Sequence, residues 1–295
     1  MAITAGQVKE LREKTGAGMM DCKNALNETN GDMAKAIDWL REKGIAKSLK
    51  KASRIAAEGL SKVVVNGNKA CLVEINSETD FVAKNDQFLK LLDDVTNTIL
   101  ASNAKTNEEA LALTCGGKAL NDLFIEATAT IGEKIVLRRF ALVEKTDAQK
   151  FGSYIHMGGK ISALAVCEGA DDAQAKDMAM QIASMAPQYV SSEDLPKEII
   201  DHERQIQEEI AKNDESLKSK PEKVLQGIIQ GRVSKSLKDM CLVDQEYFLD
   251  SAKKVAQVLK ESNATCKKFA RYLVGEGLEK REENFADEVA KQING

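Results

Sequence analysis

Asn66-Gly67, set between the apolar runs Val63-Val64-Val65 and Ala70-Cys71-Leu72-Val73-Glu74-Ile75, restricts this chain more than any other feature. Asn and Gly both tolerate the positive φ of a type I′ turn, so the pattern predicts an antiparallel hairpin. A helix is expected next, because Phe88, Leu91, Leu92, Val95 and Ile99 recur at helical spacing. Ile135–Leu142 then reads as a further strand. The same grammar returns downstream. Ser153–His156 enters a turn at Gly158-Gly159, leaves as Ile161–Cys167, and precedes a helix through Ala175–Ala186. Two hairpin-plus-helix halves predict an α+β core of two related subdomains with small antiparallel sheets.

Ahead of this core, the first 55 residues read as three helices. Thr4 is a candidate N-cap, Val8 and Leu11 share a face, and Thr15-Gly16 is the stop. The second helix follows Gly18 and is expected to turn Met19, Cys22, Ala25 and Leu26 inward until Asn30-Gly31 breaks it. Asp32 caps the third, with Met33, Ala36, Ile37 and Leu40 inward, Trp39 partly exposed, and an end at Gly44. So small a bundle suits a tethered binding module. Further along, Leu195, Ile199, His202, Ile206, Ile210 and Leu217 approximate a coiled-coil heptad seam. Pro221 restarts a helix that carries Val224, Leu225 and Ile228. These segments predict a protruding antiparallel helical hairpin, and Asn284–Gly295 a short peripheral helix. The expected domains are 1–55, a core N-subdomain at 56–145, a core C-subdomain at 146–273 with the hairpin inserted at about 190–235, and a C-terminal module at 274–295.

Charge decides which functions are plausible. Acids number 46 against 42 bases, a net of −4, and that argues against a general nucleic-acid binder. Residues 1–55 nevertheless hold 11 bases against 7 acids, a net of +4, whereas 193–215 is acidic. A basic head on an acidic body suits docking to an acidic protein surface; a plain solvated charge distribution would read the same way. Six scattered cysteines and two distant histidines make neither a zinc pattern nor a disulfide framework. With no signal or transit pattern at the start, a reducing, cytoplasmic setting is expected.

Catalytic motifs fail on inspection. Gly117-Lys118 is followed by Ala119, and Gly159-Lys160 by Ile161, so neither supplies the hydroxyl of a phosphate-binding loop. Gly16-Ala17-Gly18 lacks a preceding strand and a third glycine. One segment stays open. In Ser77-Glu78-Thr79-Asp80-Phe81-Val82-Ala83, Thr79 can cap a helix while Phe81 packs inward ahead of Phe88. Alternatively, the turn presents a carboxylate and an aromatic ring side by side at the edge of the core.

Several separated motifs give the chain a resemblance to a known family. These are Val8-Lys9-Glu10-Leu11-Arg12, Thr15-Gly16-Ala17-Gly18-Met19-Met20-Asp21-Cys22-Lys23, Asn30-Gly31-Asp32, Lys50-Lys51-Ala52 with Ala56-Ala57-Glu58-Gly59, and Thr79–Ala83 with Asn85. Tyr154-Ile155-His156 with Gly159-Lys160-Ile161, Gly275–Lys280 and Phe285-Ala286-Asp287-Glu288-Val289 complete the set. In this order they resemble the elongation factor Ts family. The resemblance implies a guanine nucleotide exchange factor that releases GDP from elongation factor Tu, bound as GDP complex or nucleotide-free, by binding and not by covalent chemistry. It implies a ubiquitin-associated-like docking module in which Val8, Leu11, Arg12, Thr15, Gly16, Gly18, Met19 and Met20 serve the partner. It makes Asp80 and Phe81, with Thr79 and Val82 beside them, the wedge that disturbs the partner's magnesium site, and it gives His156 a contact on the second hairpin. No cofactor, metal, direct nucleic acid or membrane is implied. Homodimerisation through the core or the helical hairpin stays open.

The chain departs from the family pattern at Glu246-Tyr247-Phe248-Leu249, where proline followed by Phe-Val is usual, which questions the local turn. Leu278 replaces the commoner isoleucine. Two rival readings compete: an RNA-associated protein using the basic stretch Lys47–Arg54, and an enzyme using the Cys22 or Cys71 thiol.

Overall fold

The computed structural model describes residues 3–217 and 220–279. It is α+β and divides into two compact units, the first built from the chain up to Val143, Met157–Ile161 and the stretch from Tyr272, the second from Glu144–His156 and Ser162–Arg271.

The first unit begins with α1 (Ala5–Thr15), α2 (Met19–Glu28) and α3 (Met33–Lys51). Thr4 and Gln7 close a reciprocal capping box on α1, and Gly16 ends it with φ 68°. Leu11, Cys22, Ala25, Leu26 and Ala36 form the buried centre of this bundle. Three expectations need correction. Met19 and Ile37 lie outside that centre, exposed, because five small or aliphatic side chains already fill it. The third helix does not end at Gly44 but runs to Lys51. Glycine there is weakly helical by propensity, yet a Cβ at Gly44 would sit 3.4 Å from Ala129 Cβ. The absent side chain lets α3 lie close against the later helix that carries Ala129.

A hairpin follows, β1 (Glu58–Asn66) paired antiparallel with β2 (Lys69–Ser77), Asn66 facing Lys69. The turn is therefore Gly67-Asn68, one residue later than expected, and of the two only Gly67 has positive φ, so it is not type I′. Then come α4 (Asp86–Leu100), α5 (Asn107–Ala112), the short pair β3 (Thr114–Cys115) and β4 (Lys118–Ala119), α6 (Leu120–Ile131) and β5 (Val136–Glu144). The sheet order is β1-β2-β5. The expected stripe of α4 (Phe88, Leu91, Leu92, Val95, Ile99) is buried together with Val73, Ile75, Leu120 and Phe124. Each such side chain removed from water contributes roughly 1.5–3 kcal/mol, so this is the stable base of the unit. From Lys69, half-buried at the hairpin, β2 is buried throughout. On its far face Glu74 takes Arg139 Nε at 2.6 Å and the Gly275 amide at 2.8 Å, which offsets the desolvation of a buried carboxylate.

The second unit carries β6 (Gln149–His156), β7 (Ile161–Glu168), α7 (Asp172–Met185), α8 (Lys197–Asn213), α9 (Glu222–Asp239), β8 (Glu246–Tyr247), β9 (Asp250–Lys254), α10 (Val255–Glu261) and β10 (Thr265–Leu273). Its main sheet runs β10-β7-β6. The second strand of each hairpin is thus central and a strand from beyond the helix flanks it, the same order in both halves. Ala163–Cys167 of β7 and Ala175, Met178, Ala179 and Ile182 of α7 are buried. Glu246-Tyr247, where the family's proline is missing, pairs with β9, and the Phe248 amide donates to buried Gln181 at 2.8 Å.

Helices α8 and α9 pack as an antiparallel pair around Ala211, Leu217, Ile229 and Val233. The expected Leu217, Leu225 and Ile228 are among the packed residues, but on α8 the heptad reading misplaces the seam. Ile206, Ile210 and Val224 are exposed, whereas Glu203 and Ala211 are buried. The packed row is Glu203-Gln207-Ala211, turned one residue, about 100°, around the helix. Periodicity identifies residues that share a stripe; it does not say which stripe meets the neighbour. The motif Phe285–Val289 and the helix expected at 284–295 lie outside the described residues.

Candidate functional site

The segment left open by the sequence lies between β2 and α4 and is tied down on both sides. Buried Ser77 donates its hydroxyl to the Thr79 carbonyl at 2.9 Å. Glu78 accepts the Lys134 amide at 2.6 Å and the Arg54 guanidinium at 3.3 Å. Thr79 does not cap the helix. Its amide and hydroxyl both donate to the Glu133 carboxylate, at 2.9 and 2.6 Å. On the far side Val82 and Ala83 are buried in the core cluster within a 3-10 turn, Val82–Lys84. Asn85 is the true cap of α4, accepting the Gln87 amide at 2.8 Å.

Between these anchors Asp80 and Phe81 have nowhere to go but outward. Phe81 is 78% exposed, the most exposed large apolar side chain among the described residues, and Asp80 beside it is exposed as well. The inward-packing alternative for Phe81 therefore fails, because Val82 and Phe88 already fill the space beneath. Exposed apolar residues are ordinary when scattered. An aromatic ring on a turn fixed at both ends is different, since it can enter a partner's pocket with little ordering cost.

A second exposed apolar pair stands on the helical module. Met19 and Met20, 59% and 65% exposed, open α2 behind Gly18, and Arg12 is exposed on α1. Leu11 is fully buried and Val8 half-buried in the module's centre. Thr15 is turned inward, its hydroxyl donating to the Leu11 carbonyl at 2.7 Å. Leu11, Val8 and Thr15 thus shape the module, while Met19, Met20 and Arg12 are the side chains a partner can touch. A Cβ at Gly16 would lie 4.0 Å from Gln87 Nε2, so the α1–α2 turn sits beside the start of α4, a few residues from Phe81.

The groove between α3 and α6 has a volume of about 420 Å³ and includes Trp39, under the Lys43 ammonium at 5.1 Å. Six of its charged side chains pair with one another: Arg41 with Asp122 at 2.9 Å, Lys47 with Asp21 at 2.9 Å, and Lys118 with Glu126 at 2.6 Å. Lys51 reaches the Thr128 and Gly132 carbonyls and Arg54 reaches Glu78. The basic stretch is thereby largely consumed within the fold, which weakens the RNA reading. The thiols offer little to an enzyme. Burial pushes the Cys71 thiol up to about 12 and raises that of Cys22, so neither holds much thiolate at neutral pH. Among the described residues no His, Cys, Asp and Glu group is arranged to hold a metal ion, and no helix is long and apolar enough to cross a membrane.

In the second unit, exposed His156 ends β6, its Nδ1 3.0 Å from the Tyr154 hydroxyl and the two rings 5.7 Å apart. Neighbouring Ile155 is 42% exposed. The tyrosine fixes the imidazole's orientation, and Nε2 has no hydrogen-bond partner among the described residues. Of the groups around the first turn, Glu133 had no sequence signal: it lies 54 residues from Thr79, in a loop with no motif of its own.

The architecture defines a class: α+β proteins of two small-sheet halves preceded by a three-helix module. A family model described as Elongation factor TS matches residues 78–276, well over half of the 295. The chain belongs to that family, a family of translation elongation factors in protein biosynthesis that act as nucleotide exchange factors. Its function is of the elongation factor Ts type, and the family implies elongation factor Tu as the partner. The matched stretch opens at Glu78, the residue before Thr79-Asp80-Phe81-Val82-Ala83.

Proposed function

We propose that this chain binds elongation factor Tu, GDP-bound or nucleotide-free, and promotes GDP release so that GTP can rebind. The outward Phe81 ring on its braced turn carries this reading: it supplies a rigid apolar wedge with a carboxylate, Asp80, alongside. Thr79 and Val82 hold the turn from behind. Met19, Met20 and Arg12 dock the three-helix module, and His156 with Ile155 makes a second contact from the other hairpin. No covalent step and no cofactor is needed. An exchange factor weakens nucleotide binding by the same factor that nucleotide weakens its own binding, so either GDP or GTP displaces it and nucleotide supply sets direction. We assign the work to a cytoplasmic protein without a direct nucleic-acid or membrane contact. We divide it into a docking module (1–55), two core subdomains (56–145 and 146–273, the hairpin inserted at about 190–235) and a C-terminal module (274–295). The test is release of fluorescent GDP from elongation factor Tu. The chain should accelerate it strongly at saturating concentration, and no acceleration there would overturn the reading.

A further inference from the structure

The wedge turn is held by a residue far from it in sequence, and this assigns that residue a part in exchange. Both donors of Thr79, amide and hydroxyl, end on the two oxygens of Glu133, at 2.9 and 2.6 Å. Glu133 is half-buried and directly follows Gly132, which ends α6 with φ 93°, a conformation that turns the chain sharply out of the helix. The next residue, Lys134, works in the same bracket. Its amide donates to Glu78 at 2.6 Å, and its ammonium donates to the Ala52 and Arg54 carbonyls, at 2.6 and 2.8 Å, just past the end of α3. Arg54 in turn reaches Glu78. Two consecutive residues after α6 thus hold residues 78–79, Glu133 through the Thr79 amide and hydroxyl and Lys134 through the Glu78 carboxylate, and with them the base from which Asp80 and Phe81 project.

A ring so exposed gains no direction from its own packing. Its direction comes from the backbone beneath it, which Glu133 ties directly through the Thr79 amide, while Lys134 and Arg54 hold the neighbouring Glu78 by its carboxylate. A charge-assisted, two-pronged contact is both stronger and more directional than a single neutral hydrogen bond. Resting on the exchange reading above, we propose that Glu133 is a positioning residue: by gripping Thr79 it keeps Phe81 aimed, and so sets the rate of nucleotide release within the complex instead of the affinity that forms the complex. If the grip is lost, only a fraction of molecules hold the wedge in its competent direction, and the release step slows by that fraction. Docking through Met19 and Met20 does not pass through Glu133 and keeps its strength.

Three variants of the full chain test this, Glu133→Ala, Glu133→Gln and Thr79→Val, each read in two ways. Hydrogen exchange of the Asp80–Val82 amides in the free protein needs no partner. Stopped-flow release of fluorescent GDP, titrated with each variant, separates the maximal rate from the half-saturating concentration. For Glu133→Ala we expect faster amide exchange at Asp80–Val82. Its maximal release rate should fall about tenfold, the scale of one charge-assisted hydrogen bond, while half-saturation stays within twofold. Glu133→Gln, which can still accept from the amide and donate to the hydroxyl, should recover most of the rate. Thr79→Val should slow release as well, yet add little when combined with Glu133→Ala. Unchanged amide exchange in Glu133→Ala, an unchanged maximal rate, or a loss confined to half-saturation would overturn the proposal. A wild-type chain that fails to accelerate release sinks the exchange reading instead, and the amide exchange still decides whether Glu133 holds the turn.

Discussion

The helical module and the Thr79–Ala83 turn both show apolar side chains to water, but they stand on very different foundations. Met19 and Met20 ride on a bundle whose fully buried centre is Leu11, Cys22, Ala25, Leu26 and Ala36. Phe81 rides on a turn pinned by Val82 and Ala83 to the large α4 core and by Glu133 to the loop after α6. Methionine is flexible and adapts to a surface, whereas a phenylalanine on a fixed backbone imposes its own direction. An adaptable contact suits holding a partner and a directed one suits deforming it. The contrast explains why one chain would keep both.

The sharpest way to break this contrast is to weaken the smaller foundation. Leu11→Ala empties a fully buried site and should destabilise the module by about 3 kcal/mol. Amide exchange by mass spectrometry should show the loss in residues 3–51 while α4 stays protected; loss in both would mean that the two regions share one foundation. Next in size is Phe81→Ala, for which we expect about a hundredfold lower maximal GDP release. Melting should barely move, because an exposed side chain contributes within about 0.5 kcal/mol. A collapse of the melting temperature would instead make Phe81 part of the core. Replacing Met19 and Met20 together by Ala should raise the half-saturating concentration about tenfold, as truncated interface anchors do, with the maximal rate unchanged. If the rate fell as well, the division of labour between the regions would be lost. The smallest effect is expected from the thiols. Iodoacetamide at pH 8 should modify half-exposed Cys115 ahead of Cys71, and exchange activity should persist. The sign follows from burial: the Cys71 thiol stays neutral in the fold up to about pH 12, against an ordinary value of 9.0, so stability on its account is full below 9 and lost only as pH rises toward 12. Peptide mapping with a GDP-release assay checks both points.

Much of the fold was legible because it depends on local chemistry. The Thr4 and Asp32 caps, the stop at Gly16, the stripe of α4 and the paired hairpins all come from neighbours within a few positions. The misreadings share a cause. Gly44 looked like a helix end because its purpose, close approach to Ala129, involves a helix some eighty residues on. Ile206 and Ile210 looked like a seam because stripe and partner are separate questions. Met19 looked buried because helical spacing does not say when a small core is full.

The site divides in the same way. The residues alone could name Thr79–Ala83 as unusual, and the family resemblance implied a wedge there, but neither fixed where the ring points. The two hairpins, the stripe of α4, the Thr4 and Asp32 caps and the family follow from the amino-acid sequence, since each rests on propensity, periodicity or a contiguous motif. The outward direction of Phe81, the grip of Glu133 on Thr79 and the role of Gly44 were decided by tertiary structure. Those depend on which distant groups the folded chain brings within hydrogen-bonding or packing range, and no local rule carries that information.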